Sequence, residues 1–178
     1  VAIGLAAGCI PIVGYNVGAG RKDRVKQLLT MLLISEAAVG GVAFVIFEMF
    51  PGRITAFFGS ANESAYYTSF AVSCIRIFLC MIVLSCLNKG ITIFLQAVGK
   101  ARISSALSML REIICGVGLP IILPVFFGLY GILYFMAVSD IVTFAVSAVI
   151  ISKTYRAFAE KKAVADERNI TGKKLRAE

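Results

Sequence analysis

Apolar residues in this chain gather into five long runs, at residues 1–17, 28–50, 70–96, 103–123 and 129–152, divided by short polar or glycine-rich breaks. Each is close to the length at which a helix crosses a bilayer; the second, at about 1.5 Å per residue, reaches roughly 35 Å and crosses with some tilt. Pro51 and Gly52 stop the second run, and Pro120 and Pro124 close the fourth. The third is the longest. It follows the polar stretch GSANESAYYT, whose Tyr66 and Tyr67 suit a membrane interface. The pattern predicts an all-α integral membrane protein, a bundle of about five transmembrane helices over residues 1–158, with a charged tail over 159–178.

Composition agrees. With 59% hydrophobic residues, 16% charged and a mean hydropathy of +0.89, the chain has too little polar surface for water to be its only solvent. The net charge of +8 does not read as a nucleic-acid footprint, because the basic residues sit at the ends of the runs and in the tail. Arg21, Lys22, Arg24 and Lys26 follow the first run, Arg53 stands alone after the second, Lys100 and Arg102 separate the third from the fourth, and eight basic residues lie beyond Ser152. The positive-inside rule then puts the first and third connections and the C-terminus in the cytoplasm, with PGRITAFFGSANES and LPVFFGLYG outside. The opening has no basic n-region and no small-residue cleavage site, so it reads as the middle of a longer membrane protein and not as a signal peptide.

Enzyme chemistry finds little to stand on. There is no His, and the five cysteines, Cys9, Cys74, Cys80, Cys86 and Cys115, all fall in apolar runs without a CxxC pair, which suggests packing and neither a disulfide framework nor a metal site. GYNVGAG lacks the Lys-Ser/Thr of a phosphate loop and reads as a helix ending in glycines. The informative residues are charges inside the runs, where charge is expensive. Asp140 lies about 16 Å into the fifth run, near the bilayer midplane; it either locks helices together or serves an ion or substrate. Glu36, about 12 Å into the second run, either lines a cavity or approaches the cytoplasmic interface, and Glu48 reads as interfacial. Arg111 and Glu112 diverge by about 100° on a helix, so each is expected to need a partner from another helix. Ser85, Asn88, Lys89, Thr92 and Gln96 share one helical face, for helix–helix hydrogen bonds or for a water-filled cavity, with Arg76 about half a turn away if the helix is regular.

Three segments, GCIPIVGYNVGAGRKDRVKQ, IFLQAVGKARISSALSMLREI and LPVFFGLYGILYFMAVSDIVTF, resemble in order and spacing the C-terminal half of the multidrug and toxic compound extrusion (MATE) transporters. The resemblance covers residues 1–155, from the end of helix eight through helix twelve of a twelve-helix, two-lobe fold. It implies a secondary antiporter that exports cationic or amphipathic drug-like compounds against a proton or sodium gradient, without a cofactor, by rocking one lobe against the other. It further implies membrane lipids and a missing N-terminal lobe as partners, no nucleic acid, and a bacterial plasma membrane with the tail cytoplasmic. On that likeness Pro11, Tyr15, Asn16, Gly18 and Gly20 shape a cytoplasmic hinge, and Arg111 and Asp140 hold the lobe together, with Asp140 also the ion-coupling candidate. Ser85, Asn88, Lys89, Gln96 and Glu36 are the cavity candidates. The third run carries no Asp or Glu where the family's sodium branch has an acid in helix ten, which leaves the ion undecided. A lipid-linked saccharide flippase of the same superfamily, with a cationic cavity served by Lys89 and Arg111, is the nearest alternative. A polytopic prenyl-group transferase is more distant, because no Asp-rich metal motif occurs.

Overall fold

The structure is a computed structural model that describes residues 1–57 and 65–174. It is built of helices: α1 (Ala2–Gly18), α2 (Lys22–Met49), the short α3 (Pro51–Phe57), α4 (Ala65–Leu79), α5 (Ile82–Ala97), α6 (Ala101–Met109), a π-helical segment (Leu110–Gly118), α7 (Leu119–Phe127) and α8 (Leu129–Lys174). Among the described residues four stretches are long and apolar enough to cross a membrane, namely Lys22–Met49, Thr68–Ala97, Ala101–Phe127 and Gly131–Tyr155, while Ala2–Gly18 is a shorter apolar helix. Residues 58–64, with Ser60, and 175–178 lie outside the described residues, as does the side chain of Tyr67.

The centre of the bundle is α5, which packs against α1, α2, α6 and α8. The apolar spacing explains why. On α2 the buried positions Val25, Leu29, Leu32, Glu36 and Gly40 recur every three or four residues and form one stripe. Leu29 and Leu32 meet Phe94 of α5 and Ala6 and Val13 of α1 in one core cluster; Ile91, Leu95 and Leu107 form a second, against Phe144 and Ile151 of α8. The other faces stay apolar and exposed, as at Met31, Ile34, Val125 and Phe126, which is the surface a lipid solvent requires. Close approach of α2 and α5 depends on glycine, since a Cβ on Gly40 would stand 2.9 Å from the Val83 Cα.

Three expectations change. The third run is not one regular helix: a turn at Cys80 and Met81 divides α4 from α5 without a Pro or Gly to announce it. On one side of the break α4 meets α3, on the other α5 meets α1 and α6, and α2 and α8 touch both parts. Pro120 and Pro124 do not close the fourth run, which continues to Phe127 and stops at Gly128, where φ is +60°. The π-helical turns just before them shift the backbone register, one of the adjustments by which membrane helices accommodate proline. Finally α8 does not stop at the end of the fifth run; its helix continues through the charged segment to Lys174.

Candidate functional site

The wide turns of the π-helical segment place Arg111 opposite α5 and α8. Its Nε and Nη2 donate to Asp140 Oδ1 at 3.2 and 2.8 Å, and Nη2 also donates to Ser85 Oγ at 2.7 Å. Asp140 is bound a second way, because Asn88 Nδ2 donates to its backbone carbonyl at 3.0 Å. The Asp140 side chain is 2% exposed and that of Arg111 13%, so this is an enclosed, charge-assisted pair joining three transmembrane stretches. Carboxylate and guanidinium enter apolar surroundings together, as intramembrane charges must.

Arg111 makes a further contact that the sequence argument excluded. Its Nη1 lies 3.4 Å from Glu112 Oε1, although the two are neighbours. The Cα–Cβ directions diverge, but a guanidinium at the end of a flexible stem folds sideways and reaches the adjacent carboxylate. Glu112 itself is 68% exposed, so the interhelical partner expected for it is not needed. The expected relation between Arg76 and Ser85 also fails, because the turn at residues 80–81 intervenes; Arg76 instead lies 3.5 Å from Glu48, and both side chains are half exposed.

Beside the Arg111–Asp140 pair opens a cavity of about 190 Å³, walled by Asn88, Lys89, Thr92 and Gln96 from α5, by Ser108, Arg111 and Glu112 from the α6–π stretch, and by Ile3, Ile93 and Leu107. The polar face of the third run therefore serves two purposes. Asn88, Lys89 and Gln96 reach the cavity, whereas Ser85 accepts from Arg111 and is not among the wall residues. The Thr92 hydroxyl donates to the Asn88 carbonyl at 2.8 Å, and the Thr92 carbonyl accepts from Ser104 Oγ at 2.8 Å, which fixes this wall to α6. Glu36 is not in the wall either; it is fully buried with its Cγ 3.0 Å from where a Cβ on Gly90 would lie.

The remaining sequence candidates stand apart from the cavity walls. Pro11 lies inside α1, Gly18 is its last residue, Tyr15 is 68% exposed, and Asn16 Nδ2 donates to the Ile12 carbonyl at 2.8 Å. The turn closes when the Arg21 amide donates to the Asn16 carbonyl at 2.9 Å, with Gly20 at a φ of +69° that a side chain would strain. Two contacts bring the basic connections to one end of the bundle: Lys26 Nζ lies 4.8 Å from the Tyr155 ring centroid, and Lys100 Nζ donates to Thr154 Oγ1 at 2.9 Å.

The sequence reading does not name Ser108 as a wall residue, nor Thr143, Ser147 and Thr154, which continue a buried polar line on α8 from Asp140. The signal was present. Those four residues recur at helical spacing on one face of an otherwise apolar run, as do Ser108 and Glu112 one turn apart. Among the described residues no group of three or more His, Cys, Asp or Glu could hold a metal ion.

No curated protein and no solved structure matches the chain. The MatE family model matches residues 1–122, which takes in the first three helical stretches, most of the fourth, the Arg111 region and the whole cavity wall. A bundle of membrane-length helices around an enclosed ion pair and a cavity of mixed polar and apolar lining, matched by that model over more than half its length, belongs to the MatE family of membrane transporters.

Proposed function

We propose that this chain forms the C-terminal lobe of a secondary active antiporter that exports cationic or amphipathic compounds in exchange for protons or sodium. The observation that carries the reading is the cavity beside α5, a mixed polar and apolar hollow in a bundle whose outer faces are apolar. Ile3 and Ile93 offer surface to a hydrophobic ring, Gln96 offers hydrogen bonds, and the exposed Glu112 adds a carboxylate that it shares with Arg111. Arg111 adds little free positive charge, since Asp140 and Glu112 already face it. With Lys89 also in the wall, the two basic groups balance the carboxylates of Asp140 and Glu112, short of the uncompensated basic surface that the diphosphate of a lipid-linked saccharide would want.

Orientation follows the same reading. The basic connections around Lys26 and Lys100 gather at Thr154 and Tyr155, where the apolar part of α8 ends, and this side faces the cytoplasm. Alternating access then arises as the lobe rocks against an N-terminal partner lobe around the α5 cavity. The test is gradient-driven efflux of a fluorescent lipophilic cation from proteoliposomes that hold the full-length transporter. Gln96→Ala and Glu112→Gln are expected to raise the half-saturating dye concentration severalfold at unchanged folded yield; dye transport indifferent to both would remove the cavity from the substrate path.

A further inference from the structure

Glu36 is an ionisable side chain for which the helix packing supplies no partner. It sits in the buried stripe of α2 between Leu32 and Gly40, is 0% exposed, and neither carboxylate oxygen has a hydrogen-bond partner among the described residues. The surface facing it is the bare backbone of Gly90 on α5, where a Cβ would stand 3.0 Å from the Glu36 Cγ. The other buried carboxylate, Asp140, is arranged differently, with Arg111 at 2.8 Å. The titratable side chain beside Glu36 on α5 is Cys86, itself close to Lys89, and neither hydrogen-bonds to the Glu36 carboxylate.

An enclosed carboxylate without a donor or a cation is among the least favourable states a side chain can take, and neutralisation by a proton removes that penalty. A bound metal cation would need several oxygen ligands, whereas the surface opposite Glu36 is Gly90 and the Cys86 side chain. We propose that Glu36 is a proton-binding site of this lobe, holding its proton while α2 and α5 are packed together and releasing it when water enters between them. On release the carboxyl O–H breaks, the proton passes to water and a carboxylate remains. The role of this proton in transport rests on the antiporter reading; its presence does not.

The proton is read directly by infrared spectroscopy of the chain in lipid nanodiscs at neutral pH. The expected result is a protonated-carboxyl C=O stretching band that is lost in Glu36→Gln, kept in Asp140→Asn, unchanged when sodium replaces potassium, and diminished at alkaline pH. Should Glu36→Gln fold poorly, treatment of the unaltered chain with dicyclohexylcarbodiimide, which modifies protonated carboxyls in apolar sites, should label Glu36 in mass spectra and leave Asp140 unlabelled. Absence of the band, its persistence in folded Glu36→Gln, or failure of the reagent to label Glu36 would each overturn the proposal. In the full-length transporter, Glu36→Gln should abolish proton-driven efflux while dye binding persists. Unimpaired efflux would overturn the coupling role, whereas a transport-inactive unaltered protein that still shows the band would sink the antiporter reading and leave the proton site standing.

Discussion

Removing either member of the Arg111–Asp140 pair should destabilise the bundle, and the two removals should not cost the same. In Asp140→Leu the guanidinium keeps Ser85 Oγ and the exposed Glu112 but loses both donor contacts to Asp140 Oδ1, at 2.8 and 3.2 Å. Arginine cannot shed its charge, so a side chain that is 13% exposed loses its buried counter-charge and keeps only Ser85 and the exposed Glu112, at a cost of about 3–5 kcal/mol. In Arg111→Leu the stranded Asp140 can take up a proton, which caps the loss at about 1–3 kcal/mol. Asp140→Asn keeps an oxygen for Arg111 and forfeits only the charge assistance, about 1–2 kcal/mol. The double Leu variant removes both charges and should lie within about 2 kcal/mol of the unaltered protein, because a buried ion pair replaced by apolar groups is often nearly neutral. Reversible unfolding in mixed detergent micelles measures all four. The coupling between the sites should then be at least about 2 kcal/mol, and additive single and double losses would refute the claim that this pair acts as one unit.

Gly40→Leu should sharply lower folded yield, and Gly40→Ala should cost about 1–3 kcal/mol by thermal unfolding, because the added Cβ meets the Val83 backbone at 2.9 Å; an unchanged Gly40→Ala protein would mean that α2 and α5 do not touch there. Single-Cys labelling on a Cys-free full-length background should find Ala101 reactive only from the cytoplasmic side and Ser60 only from outside, and the reverse pattern would invert the orientation. Deletion of residues 163–178 should leave efflux per folded molecule within about twofold, since the cavity wall is built from residues between Ile3 and Glu112; severe loss at normal yield would place the charged segment in the mechanism.

Helical, membrane-spanning character was legible from residue order alone, because lipid compels every backbone group to bond within its own helix and every lipid-facing side chain to be apolar. The same holds for the common face of Asn88, Lys89 and Gln96, a matter of helical period, and for the expense of Asp140, a matter of depth. Partners were not legible. Nothing local to Asp140 says that Arg111 and Ser85 will meet it, or that Asn88 will bind its carbonyl, since those residues come together only when α5, α8 and the π-helical segment pack. The turn at residues 80–81 and the passage of the fourth run through Pro120 and Pro124 were likewise decided by packing, as no local signal marks the first and the second runs against the usual one. Glu36 shows the division most plainly. Its place on the buried stripe of α2 is written in the spacing from Leu29 to Gly40, but its lack of any partner follows from Gly90 standing opposite, a coincidence of two helices that residue order along either one does not contain.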